Sequence, residues 1–237
     1  MRGQIFKNFY LGRGNLIFIG VMQALISAVI IVVLCLTGGK ASSEYTLTKA
    51  FCYALTFFMT AFSYTEFFSC DERQTWVSFA ASTPAGARGQ VAGKYVTIMI
   101  ISTAVLLCCL ITDVVNAAIA GDFSCMIMGT LLTLYGVEII ICAYEMVFYV
   151  GFGSKSGSKV KGMVLGAIIL SVILYLLFGD ISFLYTDDPL EIIVKFFSTP
   201  LPSWGIALLL TAALGLYALS FAISLRLYQN ASENYGE

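Results

Sequence analysis

Long apolar stretches separated by short polar ones dominate the chain. Leu16–Leu36, Leu47–Phe68, Val91–Ile111 and Phe123–Val150 each approach or exceed 20 residues with few charges. Met163–Phe178 opens a fifth stretch that extends to about Leu184, and Trp204–Leu227 forms a sixth. About 20 apolar residues are needed for a helix to cross the hydrocarbon of a bilayer. Backbone groups must be paired inside lipid, which leaves helices or closed barrels. Barrel strands alternate apolar and polar residues over about 10 positions. These stretches do not alternate, so the pattern predicts an all-α polytopic membrane protein with six transmembrane helices. The expected spans are 16–37, 47–69, 91–113, 123–151, 163–184 and 204–228, all in one membrane domain covering 1–237.

Composition agrees with that reading. The 237 residues are 59% hydrophobic and 11% charged, against about 25% charged in a soluble domain. The net charge is −1, and there is no basic excess of the kind a nucleic-acid binder carries. The basic residues are unevenly placed. With the N-terminus inside, Arg2, Lys7, Arg13, Arg73, Arg88, Lys94, Lys155, Lys159, Lys161 and Arg226 fall on the cytoplasmic side, and Lys40, Lys49 and Lys195 fall outside. The positive-inside rule then predicts that both termini are cytoplasmic. The first apolar run is too long for the core of a cleaved signal peptide, and the C-terminus has no prenylation box. Seven cysteines without a C-x-x-C spacing read as small packing residues in helices.

Four segments between the spans carry further signals. In residues 1–15, Ile5, Phe6, Phe9 and Tyr10 recur at helical spacing, which predicts a short interfacial helix. Residues 70–90 follow a Asp71-Glu72-Arg73 cluster with Trp76, Phe79 and Ala80, then Pro84 and Gly86 as breakers. The pattern predicts a helical hairpin on the cytoplasmic side, with a second helix running from about Ala87 into the third span. That is longer than a connector needs to be, and it offers a docking surface for a partner; packing on its own helices is the alternative. Residues 153–162, GSKSGSKVKG, read as a polar, flexible, basic loop able to touch headgroups or a partner. In residues 185–203, Asp188-Pro189 is a helix start, and Leu190, Ile193, Val194 and Phe197 make one apolar face. This predicts a short amphipathic helix at the outer leaflet.

The chemistry is limited by what is missing. The chain has no His, which excludes Ser-His and Cys-His catalysis and the usual zinc ligands. Gly89–Lys94 and Gly153–Lys159 fail the spacing of a phosphate-binding loop. An enzyme or an ATP-binding chain is therefore not expected, and no metal site or cofactor is expected in this chain. Intramembrane charge is the sharpest remaining feature. Glu138 and Glu145 lie seven residues apart, about 10 Å along one helical face, and Tyr135, Cys142 and Tyr149 share that stripe. Tyr135, Glu138, Glu145 and Tyr149 are thus candidates for lining a translocation path, with an interhelix hydrogen bond or ion pair as the structural alternative. Glu66 and Glu145 each have an ion pair as the alternative, Glu66 with Arg73 and Glu145 with a loop Lys. Gly162 and Gly166 permit close helix approach at the start of the fifth span.

Taken together, the opening MRGQIFKNFYLGRGN, the loop DERQTWVSFAASTPAGARGQVAGKYV and the amphipathic segment before the sixth span resemble the ABC-2 type permease family. The loop is similar to a pattern in small bacterial members related to the exporter of phenol-soluble modulins: a charged cluster, a Trp, a short apolar stretch ending in Pro, then a basic residue and a closing Lys-Tyr. The Ala-Ser-Thr-Pro here is less apolar than that pattern. The resemblance implies a permease in the bacterial cell membrane that exports amphipathic peptide or lipid-like cargo. It also implies a homodimer, docked on separate cytoplasmic ATPase subunits that hold ATP and Mg, with membrane lipid as its surroundings. By the same resemblance Asp71, Glu72, Arg73, Trp76, Phe79 and Pro84 would contact the ATPase. Two other readings of the residues stay open: an ion-coupled transporter or channel using Glu138, and a non-transporting immunity or assembly factor.

Overall fold

The computed structural model describes residues 2–36, 43–68, 86–123, 126–178 and 202–234. These fold as α1 (Arg2–Leu11), α2 (Arg13–Leu36), α3 (Ser43–Phe68), α4 (Gly86–Ala120), α5 (Met128–Phe178) and α6 (Ser203–Asn234). Among the described residues, four stretches are long and apolar enough to cross a membrane: Arg13–Leu36, Arg88–Ala120, Met128–Gly153 and Ser203–Gln229. The chain is therefore a multi-pass, all-α membrane protein. Its outer surface is apolar where a soluble protein would be polar, with Ile17, Val21, Leu25, Ile111, Leu208 and Leu219 all exposed.

Hydrogen bonds between helices fix their directions. Pairing of Gln23 with Cys109 and Ser27 with Thr112 sets α2 parallel to α4. Tyr64 with Ser102, and Lys49 with Asp113, set α3 antiparallel to α4. Ser102 with Glu138, and Thr103 with Tyr135, do the same for α5. On α6, Ser220 Oγ donates to the Ala143 carbonyl at 2.5 Å, while Leu209 and Leu227 lie against Gly136 and Gly151. The first half of α5 and α6 therefore run in the same direction.

Local chemistry explains several ends and bends. The α1–α2 junction at Gly12 keeps helical backbone bonds, Gly12 N to Asn8 O at 2.9 Å and Leu16 N to Gly12 O at 3.0 Å, so it is a bend and not a loop. α4 ends in a Schellman motif: Gly121, with φ 69°, donates to Ala118 O, and Asp122 donates to Ala117 O. α6 starts at a proline, the Pro202 carbonyl accepting from Gly205 N and Ile206 N.

The structure departs from the sequence reading in three places. α4 starts at Gly86, in line with the helix expected from about Ala87, but runs on to Ala120, past the expected end of the third span at 113. α1 turns a polar side chain inward: Asn8 is buried and donates to Thr97 at 3.2 Å, while Phe6 and Tyr10 point away from the bundle. This polar contact and the packing of Phe9 against the core hold α1 to the bundle. Residues 153–162, read as a flexible loop, are helical backbone on both sides of Gly153. The chain turns at Gly153 alone, with φ 74° and ψ 173°, a conformation that glycine adopts without steric cost. Residues 70–85 of the expected hairpin at 70–90 and residues 185–201 of the outer segment at 185–203 lie outside the described residues, as does the side chain of Glu66.

Candidate functional site: the polar stripe of α5

The stripe read from the sequence faces inward. Glu138 and Glu145 are 1% and 3% exposed, and Cys142 and Tyr149 are also buried. A carboxyl group in such surroundings must find partners on neighbouring helices. Glu138 finds two. Ser102 Oγ on α4 donates to Glu138 Oε1 at 2.9 Å, and the Tyr64 hydroxyl on α3 donates to the same oxygen at 3.4 Å. Tyr64 and Ser102 are themselves 2.8 Å apart. The other oxygen, Glu138 Oε2, is buried without a hydrogen-bond partner among the described residues. Three helices thus meet at one carboxyl group with a spare acceptor.

The remaining stripe residues sit to either side. Tyr135 is half-buried, its hydroxyl 3.2 Å from Thr103 Oγ1. Toward Gly153, Glu145 and Tyr149 line a narrow void with Tyr64, Ile98, Cys142 and Met146 that is too tight for a water molecule. Lys94 of α4 lies 4.7 Å over the Tyr149 ring, within reach of a cation–π interaction. Beyond it, Tyr95 is bonded to Ser220 at 2.6 Å and Ser224 at 2.9 Å, and Tyr217 donates to the Tyr95 carbonyl at 2.7 Å. Hydroxyl and carboxyl groups therefore tie α3, α4, α5 and α6 together along one seam.

A second polar centre was not singled out from the sequence. Lys49 Nζ and Asp113 Oδ1 are 2.7 Å apart, and both side chains are 0% exposed. Asp113 Oδ2 also accepts from Ile127 N at 3.0 Å, which fixes the start of α5. The signal was present, since each charge interrupts an apolar run, but Lys49 reads equally well as a charge at the outer end of its span. Asp71, Glu72, Arg73, Trp76, Phe79 and Pro84 lie outside the described residues.

Comparison with known proteins bears on what this helical bundle is. No curated protein and no solved structure matches the chain. The family model of the ABC-2 family transporter proteins matches residues 5–229. That match runs from α1 through nearly all of α6. The chain therefore belongs to the ABC-2 transporter family, and it is a membrane-spanning subunit of an ABC transporter, a class of subunit that generally works with a separate ABC ATPase.

Proposed function

We propose that this chain is the permease of a bacterial exporter that moves amphipathic peptide or lipid-like cargo out of the cell. It works as a homodimer in the cell membrane, with both termini cytoplasmic. Work is supplied by cytoplasmic ATPase subunits, which hold the ATP and Mg; this chain holds no cofactor. The observation that carries the reading is the family match over residues 5–229.

Helix directions support six crossings. The first half of α5 runs parallel to α6, so the chain has to return across the membrane between Gly153 and Ser203. With α2, α3, α4, the first half of α5 and α6, that return makes six. α3 falls short of the hydropathy of the other spans because it carries Lys49, whose charge is paired inside the bundle.

The segment 69–85 joins the end of α3 to the start of α4, and these two helices are tied by Tyr64, Ser102 and Glu138. A force on that segment reaches the α5 stripe through buried hydrogen bonds. Asp71, Glu72, Arg73, Trp76, Phe79 and Pro84 are the proposed contacts with the ATPase. Tyr135, Glu138, Glu145 and Tyr149 are the proposed lining of the path, which is shut in this conformation by the tight packing beside Glu145. ATP binding in the partner opens it only if the partner binds the two states with different affinity.

Purification from the native membrane tests the reading. An ATPase subunit is expected to copurify, and Glu72→Ala with Trp76→Ala is expected to release it while the permease still inserts. A chain that purifies alone and moves solute down an ion gradient would overturn it in favour of a gradient-driven transporter using Glu138.

A further inference from the structure

A groove of about 520 Å³ runs along the membrane-facing side of the bundle between α2 and α4. Leu16, Gly20 and Ser27 form one wall and Ile100, Ala104 and Thr112 the other, with Phe9 of α1 closing one end. The surface is almost wholly apolar. Ser27 pairs with Thr112 at 3.0 Å and Gln23 Nε2 donates to Cys109 Sγ at 3.4 Å, while Gln23 Oε1 is buried with no partner among the described residues. A Cβ at Gly20 would meet no atom within 4 Å, so the groove is open at its middle.

Length and charge identify an occupant. From Leu16 to Ser27 the groove is about 16 Å long, half of a hydrocarbon core of about 30 Å. It therefore spans one leaflet, which matches the reach of a single acyl chain. Arg13 lies on the same stripe of α2 as Leu16, Gly20 and Ser27, one turn beyond the closed end. It is exposed, with its guanidinium 5.4 Å over the Tyr10 ring. Arginine offers paired donors suited to phosphate oxygens. We propose that this groove binds one acyl chain of an anionic phospholipid, with the lipid phosphate held at Arg13. The site sits beside α1, whose Asn8 is bonded to Thr97 on α4, so a bound lipid would brace the contact between α1 and the bundle. The proposal does not depend on the transport reading and can fail or hold separately from it.

The test is photolabelling of the full chain in phosphatidylcholine vesicles that contain phosphatidylglycerol with a photoactivatable acyl chain. Adducts are expected to concentrate on Leu16–Ser27 and on residues 100–112. Gly20→Leu, which fills the groove with a better helix former, is expected to remove most of them while leaving background labelling of Leu208 and Leu219. Arg13→Gln is expected to weaken labelling about fivefold, the scale of one basic residue at an anionic surface. Equal labelling by a phosphatidylcholine probe would overturn the proposal, as would adducts spread evenly over all lipid-facing helices. Chain-to-chain products mapped to the groove would overturn it in favour of a second copy. If Gly20→Leu does not fold, the headgroup comparison on the native chain and Arg13→Gln still decide.

Discussion

Lys49 and Asp113 form a buried ion pair 2.7 Å long, linking α3 to α4 near the far end of both helices from the 69–85 segment. The pair has good geometry, and its second carboxylate oxygen is used by the Ile127 amide. Tying the helices here, and again through Tyr64 and Ser102, makes them move as one body. Buried pairs add little net stability compared with a well-packed apolar pair, yet removing one partner strands the other charge.

Lys49→Met is accordingly expected to destabilise the protein by about 3–5 kcal/mol, read as a loss of thermal stability in detergent. The double variant Lys49→Met with Asp113→Leu is expected to recover most of it. A residual loss of about 1 kcal/mol should remain, because Ile127 N loses its acceptor. If the double variant is as unstable as the sum of the two single ones, the two side chains are not coupled.

Glu138 separates hydrogen bonding from charge. Glu138→Gln keeps an oxygen for Ser102 and Tyr64, and its stability is expected to stay within about 1 kcal/mol of the native chain. Glu138→Leu leaves Tyr64 and Ser102 bonded only to each other, with one of the two buried hydroxyls short of an acceptor, at a cost of about 1–3 kcal/mol. If Glu138→Gln keeps its stability but stops transport in reconstituted vesicles, the group serves the path. Full transport by Glu138→Gln would mean that it serves only as a tie between helices.

Gly136 of α5 packs directly against Leu209 of α6. A Cβ there would collide with Leu209 Cδ2, and such overpacking costs about 1–3 kcal/mol. Gly136→Ala is expected to loosen the α5–α6 contact, seen as a lower melting temperature. Adding Leu209→Ala is expected to restore part of the loss, since the smaller side chain makes room. Strict additivity of the two changes would show that the crowding lies elsewhere.

Much of the architecture was legible because lipid imposes a simple rule on sequence. Each span must be apolar over about 20 residues, and its backbone must pair within itself. The inward face of α5 was legible for a related reason: two acids seven residues apart in an apolar run can only share one side of a helix. α1 was read less well. Of its apolar residues Phe6 and Tyr10 are exposed while Phe9 packs on the core, and Asn8, a polar residue with no pattern around it, bonds to α4.

By itself, the sequence determined that this is a helical membrane protein, that its family is the ABC-2 permeases, and that Glu138 and Glu145 sit on one stripe. Those properties depend on local composition and spacing along a single helix. Only the tertiary structure decided which partners the buried polar groups take. Ser102 and Tyr64 reach Glu138 from two other helices, and Lys49 meets Asp113 across 64 positions in the chain. It also decided that the turn after the first half of α5 occurs at Gly153 alone, with helix on either side. A single polar residue in an apolar run announces that it needs a partner. Which partner it finds depends on helix directions and close approaches that no local pattern encodes.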